Sequence, residues 1–138
     1  MKLKACIAVL LLWVAGAACA TEKVLTDYML NYMGCHLEDG RGYAPRGVPV
    51  LTGYMGNFLK VPGGRAFLVQ VPGAAQSDLS DAELAALLNW MLHSFSPAQI
   101  PADFVGYSAI EVGQLRHHPL VDVAGTRAAL VRLIDQKK

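Results

Sequence analysis

The stretch Tyr28-Met29-Leu30-Asn31-Tyr32-Met33-Gly34-Cys35-His36-Leu37-Glu38-Asp39-Gly40-Arg41-Gly42 decides how the remaining chain is read. Leu25, Tyr28, Met29 and Tyr32 recur at spacings of three and four, which puts them on one face of a helix. Thr26-Asp27 is placed to cap or open that helix, which is predicted to run to about Cys35. Gly34, Gly40 and Gly42 then break it into a glycine-rich loop. At the break a thiol, Cys35, stands directly before an imidazole, His36, and Tyr32 lies three residues upstream.

Upstream of this stretch the chain reads as an export signal. Lys2 and Lys4 form a basic start, Ile7 to Val14 a short apolar core, and Ala18-Cys19-Ala20 a small-x-small cleavage site. The apolar run is too short to span a bilayer. Cys19 opens a lipoprotein reading, but Gly16-Ala17-Ala18 lacks the large aliphatic of such sites, so cleavage is predicted after Ala20. Removal of Lys2 and Lys4 leaves ten basic against eleven acidic side chains, a net charge of −1. Near-neutral charge argues against nucleic acid or an anionic membrane as the partner. Cys6 and Cys19 leave with the signal and Cys35 is the one thiol left, so no internal disulfide can form. A single thiol in an oxidising compartment is a liability unless it is buried or bonded to something.

Downstream, residues 40–76 are predicted to be mostly loop, punctuated by Gly and Pro. A short helix is expected at Tyr54–Lys60, and Ala66–Val71 reads equally as strand or helix turn. This segment carries Arg41, Arg46, Lys60 and Arg65 and no acid. Ser80-Asp81-Ala82-Glu83 has the pattern of a capping box, opening a helix over about 80–95 with Leu84, Leu87, Leu88, Met91 and Phe95 on one face. That face is expected to cross the first helix at Leu25, Tyr28 and Met29. Ser108-Ala109-Ile110-Glu111 repeats the box pattern. A last helix is predicted over about 122–136, with Val123, Leu130, Leu133 and Ile134 as its apolar side.

Cys-x-x-Cys-His is the attachment signature of c-type haem: thiols add to the vinyl groups and the histidine ligates iron. Here Tyr32 stands where the first cysteine would be, and Cys35 and His36 keep the second half. With Val48-Pro49-Val50-Leu51 after the loop and the helix from Leu79 to Leu92, residues 24–95 resemble a small class I c-type cytochrome. The resemblance implies an all-α fold with a long irregular loop, one haem c held by a single thioether to Cys35, and His36 as proximal ligand. It implies that Pro49's segment receives the hydrogen bond of His36, and that the protein is a periplasmic electron carrier rather than an enzyme. A periplasmic dehydrogenase, an oxidase or another cytochrome would be its redox partner. The expected division is a signal over 1–20, a cytochrome c-like domain over 21–95 and a helical C-terminal extension over 96–138.

Two departures stand out. Tyr32 cannot form a thioether. The loop Val71–Leu79, where the family usually places its methionine ligand, contains none. Met55, in Gly53-Tyr54-Met55-Gly56, is the candidate sixth ligand, with an open position as the alternative. Gln76 is a poor ligand, and Met91 reads as core packing. Arg65 is the candidate partner of a haem propionate. His93 and the pair His117-His118 read as surface residues. A blue-copper site wants a β-sandwich, and a thiol enzyme wants its cysteine at a helix start; neither fits. The rival reading is a haem-free cytochrome fold kept as a structural or assembly subunit, with Tyr32 filling part of the old pocket.

Overall fold

A computed structural model describes residues 21–137. The expected export signal over 1–20 lies outside the described residues. Helix α1 covers residues 21–31. The backbone kinks at Tyr32 and resumes as α2, Met33–His36. A 3-10 turn at Ala44–Arg46 and a longer one at Met55–Lys60 follow, then α3 (Gly64–Gln70), α4 (Pro72–Ala75) and α5 (Asp81–Phe95). After a turn at Pro97–Gln99 come α6 (Ala109–Arg116) and α7 (Val123–Asp135). No strand occurs among the described residues, only an isolated bridge between Tyr43 and Val48. The all-α expectation holds, and Ala66 to Gln70 form helix rather than strand, with Val71 ending it.

Helix α5 is the centre of the core. Leu84, Ala85, Leu87, Leu88, Met91 and Leu92 are all buried. Its start is the capping box expected of Ser80 and Glu83, with both reciprocal bonds made. It does cross α1, but of the three α1 residues expected at the crossing only Tyr28 is buried. Tyr28 packs against Trp90 and Phe95 with ring centroids 5.4 and 5.1 Å away. Leu25 and Met29 are about half exposed. Lys23 bridges Asp27 on its own helix to Glu83 at the start of α5. Asp27 is buried in mid-helix and gives its carboxylate to Lys23 four residues back, so it does not serve as the expected cap. Thr26 likewise donates back to the Glu22 carbonyl, and the helix is already formed at residue 21.

The segment after Phe95 folds onto the same core. Tyr107, Val112, Leu130 and Ile134 belong to the buried cluster that includes Leu84 and Met91. Ser96, fully buried, accepts from the Gly56 N–H and donates to Gln99. The Asn89 amide pairs with both backbone groups of Tyr107. Ser108 caps α6 as expected, but the second capping box is half formed. Its Glu111 carboxylate turns away to Arg65, 2.7 Å from the guanidinium Nη2. On α7, Leu130 and Ile134 point into the core and Val123 is half-buried, whereas Leu133 is 39 % exposed and leaves the predicted apolar side. The helix is tied in at both ends: Leu120 N–H donates to the Gln70 carbonyl, and Lys137 to that of Lys60.

Candidate haem site

His36 ends α2, and its ring is fixed from one side. Nδ1 lies 3.1 Å from the Pro49 carbonyl oxygen, 13 residues on. A carbonyl can only accept, so Nδ1 carries the proton and Nε2 keeps its lone pair. Burial pushes the imidazole pKa down, partly offset by the bond to Pro49, which favours the neutral ring a metal requires.

Two local features put Pro49 in place. Gly42 has φ +69°, and a Cβ there would come within 2.4 Å of the Pro49 oxygen; only glycine lets the loop pass this close. Leu37, directly after His36, has φ +67° without being glycine. Such a conformation costs about 1–3 kcal/mol and persists only when neighbours enforce it. Here the Tyr28 hydroxyl donates to the Leu37 carbonyl at 2.6 Å. Burial, with the charge of Asp39 behind it, pushes the Tyr28 phenol up to about 12, so it remains a donor at neutral pH.

A cavity of about 880 Å³ opens beside this imidazole. It falls within the roughly 300–1,000 Å³ typical of cofactor sites. Pro49 lines it, and so do Tyr32, Cys35, His36 and Met55, four of the five site residues expected from the sequence. Cys35 is exposed and free. Met55 is buried at 3 % exposure, at the start of its 3-10 turn. Tyr32 is buried, and its hydroxyl is the one buried side-chain polar atom without a partner among the described residues. Met91, read as packing, is both a core residue and a lining residue.

Arg65 is the fifth, and it is elsewhere. Its guanidinium binds Glu111 and the carbonyls of Val105 and Gly106, and it stacks 4.3 Å from the Tyr107 ring centroid. Arg65 is not among the cavity-lining residues and its donors are taken, so the propionate role expected for it does not match its position. Gln76 is exposed and also absent from the lining. His93, His117 and His118 are exposed, and no cluster of three potential metal-binding side chains occurs among the described residues.

The cavity's charged walls were missed in the sequence. Val123, Ala124, Arg127, Ala128, Val131 and Arg132, all from α7, line it. Small and basic residues recur along α7 at helical spacing, on a face distinct from the apolar side expected from Val123, Leu130, Leu133 and Ile134.

The donor set fits a haem. A neutral imidazole with a free Nε2, a thioether sulfur candidate and an accessible thiol beside that imidazole line a largely apolar cavity of sufficient size, with Arg127 and Arg132 on its α7 wall. No family model matches the chain. It is 30% identical over 101 residues to cytochrome c-552 of Thermus thermophilus, an alignment that covers 60% of this chain and 76% of that protein. On this similarity, together with its helical fold, the chain belongs to the cytochrome c family.

Proposed function

We propose that the protein is a periplasmic one-electron carrier with a single haem c, attached through Cys35 alone and ligated by His36. When bound, the haem supplies a reversible ferric–ferrous couple; the polypeptide supplies its attachment, ligation and surroundings. The observation that carries this reading is the His36–Pro49 hydrogen bond beside an exposed Cys35, at the wall of a roomy apolar cavity.

Each residue then has a task. Cys35 would hold the group by a thioether, its S–H adding across one vinyl so that sulfur bonds one vinyl carbon and the thiol hydrogen goes to the other. No electrons are gained or lost overall. His36 offers Nε2 while Pro49 holds its tautomer and orientation. Met55 is the candidate sixth ligand, from the same segment that carries Pro49. Tyr32 leaves the second vinyl unreacted. The haem-free reading has Tyr32 fill part of the pocket; the roughly 880 Å³ left beside it supports a bound group. A dehydrogenase, an oxidase or another cytochrome remains the expected class of redox partner.

The test is spectroscopic. A vinyl conjugated with the porphyrin shifts absorption to the red. The reduced pyridine complex of the native protein should therefore absorb at longer wavelength than that of a doubly attached haem. Acid-acetone should fail to extract the haem from the native protein and should extract any bound by Cys35→Ser. Haem extractable from the native chain would refute the thioether.

A further inference from the structure

The two arginines of α7 are the most informative feature of the cavity that the attachment chemistry leaves unused. Among the lining residues, Arg127 and Arg132 are the only permanently charged side chains, and no carboxylate lines the site. Neither forms a salt bridge among the described residues. Arg65 and Arg116, by contrast, are paired with Glu111 and Asp81. Arg127 stands 5.9 Å from the Tyr54 ring centroid, a contact that leaves its N–H donors free for an anion. The rest of the wall, Val123, Ala124, Ala128 and Val131, is small and apolar.

At about 100° per residue the six lining positions span an arc of about 180°, with Arg127 toward one edge and Arg132 at the other. They are about 7.5 Å apart along the axis. The cavity therefore presents a flat apolar wall flanked by two unpaired cations. That charge pattern is complementary to a broad apolar ring carrying two carboxylates. Guanidinium groups suit carboxylates because their planar fork matches two oxygens at once.

We infer that α7 is a wall of the haem site and that Arg127 and Arg132 are the partners of the haem carboxylates. This rests on the haem reading above. It gives part of the 96–138 segment a role in the cofactor site, and it moves the propionate contact from Arg65 to the C-terminal helix.

The experiment is a redox titration of the full-length, haem-loaded protein across about pH 5 to 8. The variants are Arg127→Gln, Arg132→Gln and the double substitution, with Lys60→Gln as a control that removes one positive charge outside the cavity. A cation near the haem favours the ferrous form and keeps the carboxylates ionised. The double variant should therefore show a lower midpoint potential than the control, and a new pH-dependent inflection as the carboxylates begin to titrate. Arg127→Lys with Arg132→Lys keeps both charges and should recover most of the potential, which a purely structural role of the arginines would not produce. A double variant that follows Lys60→Gln at every pH overturns the assignment while the attached haem stands. A native chain that carries no haem overturns both.

Discussion

Two segments face each other across the question of the sixth ligand, and they are held in opposite ways. The first, residues 71–80, is where a class I cytochrome would carry its methionine. Here it is fastened from outside: Arg116 of α6 donates to the carbonyls of Ala75, Ser77 and Leu79 at 2.6–3.1 Å and pairs with Asp81. One side chain thus satisfies much of the loop's backbone. The second, residues 40–55, is fastened from inside, through Gly42, Pro49 and the ring of His36. It carries Met55 into the lining of the cavity. A loop tied back to α6, with no sulfur in it, has no ligand to deliver. The segment hydrogen-bonded to His36 does carry a sulfur, that of Met55. The difference is one of anchoring: one loop is held by α6 and carries no sulfur, the other is held by His36 and brings Met55 to the cavity.

The largest expected effect strikes the floor common to both segments. Leu88 is 1 % exposed, sits mid-way along α5 and lines the cavity. Leu88→Asp buries an unpaired charge and should cost more than about 4 kcal/mol, enough to abolish the cooperative thermal transition. A melt left intact would remove α5 from the core.

Arg116→Ala should come next, at about 2–3 kcal/mol, because three carbonyls and a carboxylate lose a charged donor together. The comparison requires a specific asymmetry. Hydrogen exchange should rise in residues 71–80 while the spectrum of the bound haem stays as it was. A changed spectrum would mean that the 71–80 loop takes part in ligation after all.

Gly42→Ala probes the other segment. Its Cβ must displace the Pro49 carbonyl, and its φ disfavours any side chain, so about 1–3 kcal/mol should be lost. Here the haem spectrum and potential should change, since His36 loses its fixed partner. Met55→Ala sharpens the same side: loss of a near-infrared sulfur-to-iron band would assign the ligand, and an unaltered spectrum would leave the sixth position open.

The smallest effect is the pH response of the clasp behind α3. Arg65 holds the Glu111 carboxyl below its usual range, chiefly through their hydrogen bond. The folded pKa therefore lies below the unfolded one. The pair's contribution is complete above about pH 4.3 and is lost as the pH falls further. Both side chains are about one-third exposed, so solvent screening limits it to under about 1 kcal/mol. Urea midpoints taken from neutral pH down to pH ~3 should converge between wild type and Glu111→Gln; a constant gap would assign the pair no role.

Much of this was legible in the residues themselves. The capping box of α5 depends on a short-range pattern, and the proline carbonyl that meets His36 was implied by the resemblance of one quoted segment to the family. What was not legible depended on long-range pairing. Leu25 and Met29 have the right spacing for the core, yet Lys23 reaching Glu83 and Tyr28 meeting Trp90 rotate α1 so that they face outward. Arg65 looked free because its acid, Glu111, lies 46 residues away and also fits a local capping pattern. The neighbours of α7 were hidden for the same reason, since only the tertiary contacts bring it beside residues 55–60.

Intact-mass spectrometry of the native protein, exported by a host with haem-maturation machinery, tests the central claim most directly. The account predicts a polypeptide carrying the mass of one haem, lost when Cys35 is replaced by serine and retained when Tyr32 is replaced by phenylalanine. The bare polypeptide mass from the native protein would contradict it.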